Sequence, residues 1–270
     1  MSEHFVAIGQ QAGLNQLPHN SCTLLDFQKL ILGDGARYEG NTGDREYVLV
    51  LLGGRCTVEA GGLRFERIGA RPNVWSGKPY AVYLACRTAF AITGVGRVEI
   101  ACTSAPADQA GEPFVITPDQ VTSGTWGGAN FSRNFHGILV ATDRKVQRLI
   151  IGETYTPSGN WSTYPPHKHE VDDLPREVFA EEMYYFKVSS PEGFGLCRHY
   201  GSDGSFDNVH VVRDETLLSA PSGYHTYVSA PGYNSYYLWV LAGNIRTQAA
   251  VNDPDVGWVQ KALPIIQNMK

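Results

Sequence analysis

Short segments in which apolar and polar residues alternate recur along most of this 270-residue chain. Runs such as residues 80–85, 97–102 and 183–188 repeat with a period of two, and turn residues follow at spacings of about 8 to 12 residues. A helical pattern extends only over Trp258–Asn268, which Pro264 interrupts. The pattern therefore predicts an all-β chain that forms two sandwiches or barrels.

Composition and charge narrow the classes of function. The formal net charge is −5 and no basic cluster is present, which argues against binding to nucleic acid. No apolar run approaches the roughly 20 residues of a membrane helix, and the first ten residues do not resemble a secretory signal. The five cysteines are scattered without a Cys-x-x-Cys pair, as in proteins that keep reduced thiols. We therefore expect a cytoplasmic protein that binds neither nucleic acid nor a membrane.

A weak internal repeat divides the chain into two halves. The segment GDREYVL, which contains Glu46, resembles the segment AEEMYYF, which contains Glu182, and superposing the two places these glutamates opposite each other. The first half has no His-x-His sequence, whereas the second half has one. We predict an N-terminal domain over residues 1–140 that has lost a metal site, and a C-terminal domain over residues 141–270 that keeps it.

The strongest chemical signal is a His-Lys-His sequence in the second half. His167 and His169 are two residues apart, so on an extended strand their imidazoles project from the same face. A carboxylate follows at Glu181 or Glu182, at the head of an alternating run, and His225 comes after a Pro-x-Gly turn. Three imidazoles and one carboxylate suit a divalent ion such as Zn, Mn, Fe or Ni, and they leave coordination positions for a substrate or water.

The order of these groups is similar to the two cupin motifs, with the metal motif in the C-terminal half. More narrowly, the chain resembles the 5-deoxy-glucuronate isomerase family of inositol catabolism. The segments that carry the resemblance are residues 159–169, 181–186, 193–196 with Arg198 and Tyr200, 223–225, 231–233 and 236–238, together with residues 41–46 and Arg133. The resemblance implies a bicupin fold, in which one chain contains two jelly-roll β-barrel or sandwich domains.

The resemblance also implies one divalent metal ion and its ligands, which are His167, His169, His225 and one of the two adjacent glutamates. We choose Glu182, because on a strand it shares one face with Tyr184 and Phe186. Glu181 then points to the opposite face. The first half has no equivalent set.

The reaction implied by the resemblance is the aldose–ketose isomerisation of 5-deoxy-glucuronate to 2-deoxy-5-keto-gluconate. Arg198 is our candidate for binding the substrate carboxylate through its planar guanidinium. Tyr184 and Tyr237 are candidates for lining the pocket and donating to substrate oxygens. The base stays open between Glu181, Lys168 and a metal-bound hydroxide, although strand alternation disfavours the two side chains.

Three positions depart from the family pattern and bear on the substrate, namely Cys197, Thr226 and Trp239. One alternative is therefore a divergent bicupin that acts on another sugar acid. A second is a metal-dependent cupin dioxygenase that uses Fe(II) or Cu on the same ligands, and a third is a sugar-binding bicupin without catalysis. Two barrels in one chain are compatible with a monomer or a homodimer.

Overall fold

The computed structural model describes residues 3–141 and 144–268, which form twenty β-strands, two 3₁₀ helices and one α-helix. The strands are β1 (Phe5–Ala7), β2 (Gly13–Gln16), β3 (Asp26–Leu32), β4 (Arg37–Asn41), β5 (Arg45–Ala60), β6 (Leu63–Ile68), β7 (Ala81–Leu84), β8 (Ala89–Pro106), β9 (Phe114–Ile116), β10 (Thr122–Trp126), β11 (Arg133–Leu139), β12 (Ile150–Thr156), β13 (Trp161–Lys168), β14 (Ala180–Val188), β15 (Gly195–Tyr200), β16 (Asp207–Val212), β17 (Thr216–Ala220), β18 (Tyr224–Ser229), β19 (Ser235–Gly243) and β20 (Val251–Asn252). The 3₁₀ helices are Pro118–Gln120 and Ala129–Phe131, and α1 covers Trp258–Asn268. The prediction of an all-β chain is confirmed.

One strand of the first half is longer than the sequence pattern predicts. The alternation indicates separate strands over residues 46–52 and 56–60, with a turn between them, whereas β5 runs without a break through both. Its pairing with β8 shifts register there, and Gly54 adopts a φ of +89°. A Cβ on Gly54 would lie 2.1 Å from the carbonyl oxygen of Arg97. Gly53 and Gly54 therefore form a bulge within a strand rather than a turn.

The strands form three sheets in which neighbouring strands pair antiparallel. The eight-stranded sheet has the order β2-β3-β8-β5-β7-β9, with β4 also on β8 and β6 also on β5. The seven-stranded sheet has the order β1-β17-β14-β19-β12-β11-β10, and the five-stranded sheet the order β16-β15-β18-β13-β20. Because β1 pairs with β17, β11 pairs with β12, and β10 joins the same sheet through β11, the boundary predicted at residue 140 does not separate the sheets.

The seven-stranded sheet is covered on both faces, and its central strands β12, β14 and β19 are therefore almost entirely buried. Along β14, Met183 and Tyr185 belong to a core that includes Phe27 of the first half. Tyr184 and Phe186 belong to a second core, between this sheet and the five-stranded sheet. Alternation along β14 therefore directs odd-numbered residues toward the first half and even-numbered residues into the interior of the second.

Two buried carboxylates connect the halves reciprocally. Glu181 on β14 accepts hydrogen bonds from the backbone amides of residues 23–25 at 2.7 to 3.0 Å. Glu46 on β5 accepts hydrogen bonds from the backbone amides of residues 147–149 at 2.7 to 2.9 Å, and from the Tyr83 hydroxyl at 2.9 Å. Each half thus provides the carboxylate that binds a backbone segment of the other.

The repeat is therefore offset by one residue from the superposition expected from the sequence. Glu46 corresponds to Glu181 and not to Glu182, so Tyr47 stands at the position of Glu182 in the first half. A shift of one residue on a strand exchanges the two faces. The position that holds a carboxylate in the interior of the second half thus holds a phenol in the first.

The C-terminal helix packs back onto the strands. Leu263 and Ile266 of α1 lie against Gly128, where a Cβ would come 3.2 to 3.3 Å from their side chains. Across the described residues, no helix has the combination of length and apolarity that crossing a bilayer requires.

Candidate metal centre

The four residues expected to bind a metal meet in the interior of the second half. His167 lies on β13, Glu182 on β14 and His225 on β18, and His169 follows directly after β13. One ligand atom from each lies within 4.8 Å of the others, and all but the partly buried His167 are buried. Two ligands of one ion that is about 2.0 to 2.2 Å from each cannot be much more than about 4 Å apart, so the cluster is close to the size of a coordination sphere.

Backbone contacts fix the orientation of two of the imidazoles. The Nδ1–H of His169 donates to the carbonyl oxygen of Ala180 at 2.5 Å, and the Nδ1–H of His225 faces the carbonyl oxygen of Gly223 at 3.3 Å. Because a carbonyl oxygen only accepts, each ring when neutral presents the lone pair of its Nε2 to the centre of the cluster. Metal-binding histidines are held by second contacts of this kind.

The contacts of Glu182 favour a cation at this centre. Its Oε2 lies 3.0 Å from Nε2 of His169 and 2.9 Å from Nε2 of His225. The Nε2 of His225 is buried and makes no hydrogen bond. With both imidazoles neutral, nitrogen and carboxylate lone pairs would face each other, which is repulsive, whereas a divalent ion between them makes every contact attractive. The residues therefore fit a bound divalent metal ion.

The protonation of the cluster follows from burial and from the neighbouring charges. Burial, reinforced by the neighbouring His225, holds the pKa of His167 well below its usual value. Burial opposes ionisation of Glu182, but its contacts with His169 and His225 outweigh this and hold its pKa well below the usual range. Burial also disfavours the charged form of His169, but the contact with Glu182 outweighs burial, and the pKa of His169 lies above its usual value. A metal ion binds only a neutral imidazole, so metal binding at His169 would compete with protonation of this ring.

The two side chains considered as bases lie away from the cluster. The carboxylate of Glu181 faces the first half, where it accepts hydrogen bonds from the backbone amides of residues 23–25 and from the Thr23 hydroxyl. The ammonium of Lys168 forms ion pairs with Glu170 at 3.0 Å and with Glu177 at 2.9 Å. Neither group reaches the site where a substrate would contact the metal ligands.

Substitutions at the two adjacent glutamates test whether Glu181 connects the two halves while Glu182 binds the metal. Replacing Glu181 by glutamine removes the charge that accepts hydrogen bonds from residues 23–25, so we expect the free energy of unfolding to fall by about 2–3 kcal/mol, with metal content unchanged. Replacing Glu182 by glutamine should instead remove bound metal. Denaturant unfolding and elemental analysis measure the two effects. A Glu181→Gln protein that keeps its stability and loses its metal would contradict the assignment.

A cavity of about 310 Å³ opens beside the cluster, within the size range of small-molecule sites. His167, His169 and Glu182 line it together with aromatic, polar and apolar side chains, which include Trp126, Phe131, Arg133, Thr154, Tyr164, Tyr184, Tyr237, Trp239 and Leu241. Residues 247–250, with Gln260 and Leu263 of α1, close one side. The sequence does not predict a role for this C-terminal segment. Its residues reach the cavity only because β20 pairs with β13, and no local pattern shows that pairing.

Tyr184 and Tyr237, both candidates from the sequence, line this cavity. The ring of Tyr184 meets the ring of His225 edge-on, with 5.4 Å between their centroids. The hydroxyl of Tyr237 is hydrogen-bonded to Oγ of Ser162 at 2.5 Å. Burial raises the pKa of both phenols, so each remains a neutral O–H group at ordinary pH.

The structure does not bring Arg198 to the cavity. On β15 the side chain of Cys197 is buried in the core, and strand alternation therefore directs Arg198 to the outer surface. There its guanidinium forms two hydrogen bonds with Asp207, at 2.9 and 2.7 Å, and lies over the ring of Tyr200. The arginine in the cavity wall is Arg133, the first residue of β11. Its resemblance to the family pattern is the only signal in the sequence that singles it out.

Of the three positions that depart from the family pattern, Trp239 lines the cavity, while Cys197 and Thr226 are buried and are not among its lining residues. The indole of Trp239 lies directly against Gly152, where a Cβ would come 2.1 Å from the ring. The hydroxyl of Thr226 donates to the carbonyl oxygen of Ser162 at 3.2 Å. Trp239 is therefore the departure that can contact a ligand.

Comparison with known proteins identifies relatives over most of the chain. The model of the KduI/IolB family matches residues 5–259. The 5-deoxy-glucuronate isomerase of Geobacillus kaustophilus is 37% identical over 237 residues, which are 87% of this chain and 86% of that protein. The enzyme of the same name from Bacillus subtilis (strain 168) is 36% identical over 242 residues, which are 89% of each chain.

Solved structures agree with this relationship. The crystal structure of an IolB-like protein from Salmonella typhimurium LT2 superposes with a TM-score of 0.90 at 29% identity, covering 96% of this chain and all of that one. The oxalate decarboxylase of Lactobacillus farciminis gives 0.66 at 11% identity, over 93% and 89% of the two chains. That of Bacillus subtilis, which has Mn(II) centres, gives 0.64 at 12% identity, over 93% and 80%. At such low identity the decarboxylases show the fold alone, and they confirm the bicupin architecture. With a family match from residue 5 to residue 259 and relatives of similar length, this chain belongs to the KduI/IolB family.

Proposed function

We propose that this protein is a metal-dependent isomerase that converts 5-deoxy-glucuronate to 2-deoxy-5-keto-gluconate. The observation that carries the proposal is the convergence of three imidazoles and one carboxylate at a cavity large enough for a sugar acid. Relatives at 36 to 37% identity are named for this activity. We propose His167, His169, Glu182 and His225 as the ligands of one divalent ion, with Zn, Mn, Fe and Ni as the candidates.

An aldose–ketose isomerisation moves one proton from C2 to C1 and another from the C2 hydroxyl to the carbonyl oxygen, so negative charge develops on oxygen. A bound divalent ion supplies the Lewis acidity that stabilises this charge. The imidazoles and Glu182 would hold the ion, and an ion that takes five or six ligands would keep positions open for substrate oxygens. The apolar wall limits the entry of water and so strengthens the polar contacts inside the cavity.

Tyr184 and Tyr237 serve as hydrogen-bond donors to substrate oxygens in this proposal. Both hydroxyls stay protonated, because burial raises their pKa. The contact between Tyr237 and Ser162 limits the rotation of the phenol, so its orientation is fixed before a substrate binds.

The direct test is an assay with 5-deoxy-glucuronate before and after chelation, followed by addition of single divalent ions. We expect turnover that is lost on chelation and restored by at least one ion. Other sugar acids and oxygen consumption are measured in parallel. Full activity after complete removal of metal would contradict the proposal, as would turnover confined to another sugar acid or coupled to oxygen uptake.

We further propose a cytoplasmic location and an organisation into two cupin domains. All five cysteines are buried free thiols, as is usual for proteins of reducing compartments. Light scattering on the purified protein distinguishes a monomer from a homodimer.

A further inference from the structure

Arg133 is a guanidinium in the cavity wall that has no ion pair with any carboxylate of the described residues. Its Nε is buried and makes no hydrogen bond. Arg133 pairs with Trp126 across the ladder between β10 and β11, and its Cζ lies 5.3 Å from the centroid of the Trp126 ring. By contrast, Arg71 and Arg198 each bind a carboxylate through two nitrogens. Arg133 is thus held in place by an aromatic ring while its charge lacks a counter-ion.

Arg133 lines the same cavity as three of the proposed metal ligands, His167, His169 and Glu182. Glu182 is the one carboxylate among the residues that line this cavity, and its contacts are with the imidazoles. When the ligands hold a divalent ion, one carboxylate cannot balance the ion and the guanidinium together. An unbalanced positive charge of this kind in a largely apolar cavity attracts an anion.

A second donor without an acceptor lies in the same wall. Nε1 of Trp239 is buried and makes no hydrogen bond, and the Trp239 ring lies 6.4 Å, centroid to centroid, from Trp126. Gly152 leaves the space that the indole occupies, so its orientation is fixed by packing. Buried donors are nearly always satisfied in proteins, and two that are not, in one cavity, indicate a ligand that brings acceptors.

We propose that Arg133 and Trp239 form the binding site for the carboxylate of the sugar-acid substrate. The planar guanidinium accepts a carboxylate as a forked partner, and the indole N–H donates to the same group. Bound in this way at one end, the substrate presents its carbonyl end to the metal ligands. The identity of the substrate rests on the function proposed above, whereas the preference for a carboxylate does not.

The experiment measures binding to the metal-free protein, so it does not depend on turnover. Isothermal titration compares D-glucuronate with D-glucose, which lacks the carboxylate, on the wild-type protein and on the variants Arg133→Gln, Arg133→Lys and Trp239→Phe. Arg198→Gln, at the arginine of the outer surface, is the matched control. We expect D-glucuronate to bind about 10- to 100-fold more tightly than D-glucose, in line with charged hydrogen bonds. Arg133→Gln should abolish this preference, Arg133→Lys should restore part of it, Trp239→Phe should reduce it, and the control should keep it.

Measurements of enzyme activity distinguish a failure of this inference from a failure of the proposed function. With 5-deoxy-glucuronate and the metal-loaded enzyme, we expect Arg133→Gln to raise KM by about 10- to 100-fold and to change kcat less. A wild-type protein without turnover that still prefers D-glucuronate through Arg133 would refute the proposed function and leave the carboxylate site standing. Equal binding of the two sugars by the wild-type protein would overturn this inference, as would an unchanged preference in Arg133→Gln.

Discussion

Replacing His167 by alanine is expected to lower kcat/KM for 5-deoxy-glucuronate by at least about 1,000-fold, because metal-ion stabilisation of developing charge contributes several kcal/mol. The variant keeps three of the four groups that converge on one centre, so its affinity for the ion should fall with its activity. His167 is the partly buried member of the set, and its removal therefore disturbs the core less than the removal of His225 would. Elemental analysis and steady-state kinetics on the same preparation measure both losses.

The matched control is His19→Ala, which removes an exposed imidazole of the first half. It should keep the metal content and the rate of the wild-type protein. Circular dichroism of metal-free His167→Ala and metal-free wild-type protein should agree. An alanine variant at position 167 that retains both its metal and its rate would show that the ion, or the chemistry, belongs elsewhere.

Replacing Arg71 by methionine should lower the free energy of unfolding by about 3–5 kcal/mol, the cost of leaving a buried charge without its partner. The side chains of Arg71 and Glu153 are 2% and 0% exposed, and their two N···O contacts are 2.9 and 3.0 Å. This ion pair lies between the halves, since Arg71 comes from the first and Glu153 from β12. His136 and Tyr155 still contact the carboxylate at 2.8 Å but do not replace the lost charge in the same geometry. Denaturant unfolding at neutral pH measures the effect.

The contribution of this ion pair to the free energy of unfolding is expected to depend on pH. Burial alone would raise the pKa of Glu153, but the charge of Arg71 and the hydrogen bonds to the carboxylate lower it below its usual value. A carboxyl group whose pKa is lowered by folding stabilises the protein above its unfolded-state pKa, and this contribution is lost as the pH falls. The difference between wild type and Arg71→Met should therefore shrink in acid.

Arg198→Met serves as the control, because it breaks a forked arginine–carboxylate pair at the surface. The side chains of Arg198 and Asp207 are 46% and 55% exposed, and exposed pairs of this kind contribute about 0–1 kcal/mol. If Arg71→Met and Arg198→Met lowered the free energy of unfolding by similar amounts, burial would not be what makes the Arg71–Glu153 pair important. In the double variant Arg71→Met/Glu153→Leu, stability should recover in part, since no charge is left unpaired.

Local patterns in the sequence predict the all-β class and the four residues, three histidines and one glutamate, that meet in the interior of the second half. The two-residue spacing of His167 and His169 places both rings on one face, and the same alternation favours Glu182 over Glu181. In the structure Glu182 lies with the imidazoles, while Glu181 faces the first half. These features depend only on which side chains share a face of one strand, and this can be derived from the spacing of residues in the sequence.

The features that the sequence does not predict depend on contacts between distant segments. Alternation shows that Cys197 and Arg198 face opposite sides of β15 but not which side is the interior. The position of Arg133 depends on β10 and β11 joining a sheet of the second half, and no local pattern shows that pairing. The position of Gln260 in the cavity wall likewise depends on how α1 returns to the site.

The reciprocal carboxylates have a consequence for how such a chain evolves. Glu46 anchors the segment that leads into the second half, and Glu181 anchors a segment of the first. A gene shortened to either half would encode a product with a buried carboxylate lacking its amide donors, and with amides lacking their acceptor. Selection that preserves the half with the three histidines and Glu182 therefore also preserves the half without a His-x-His sequence.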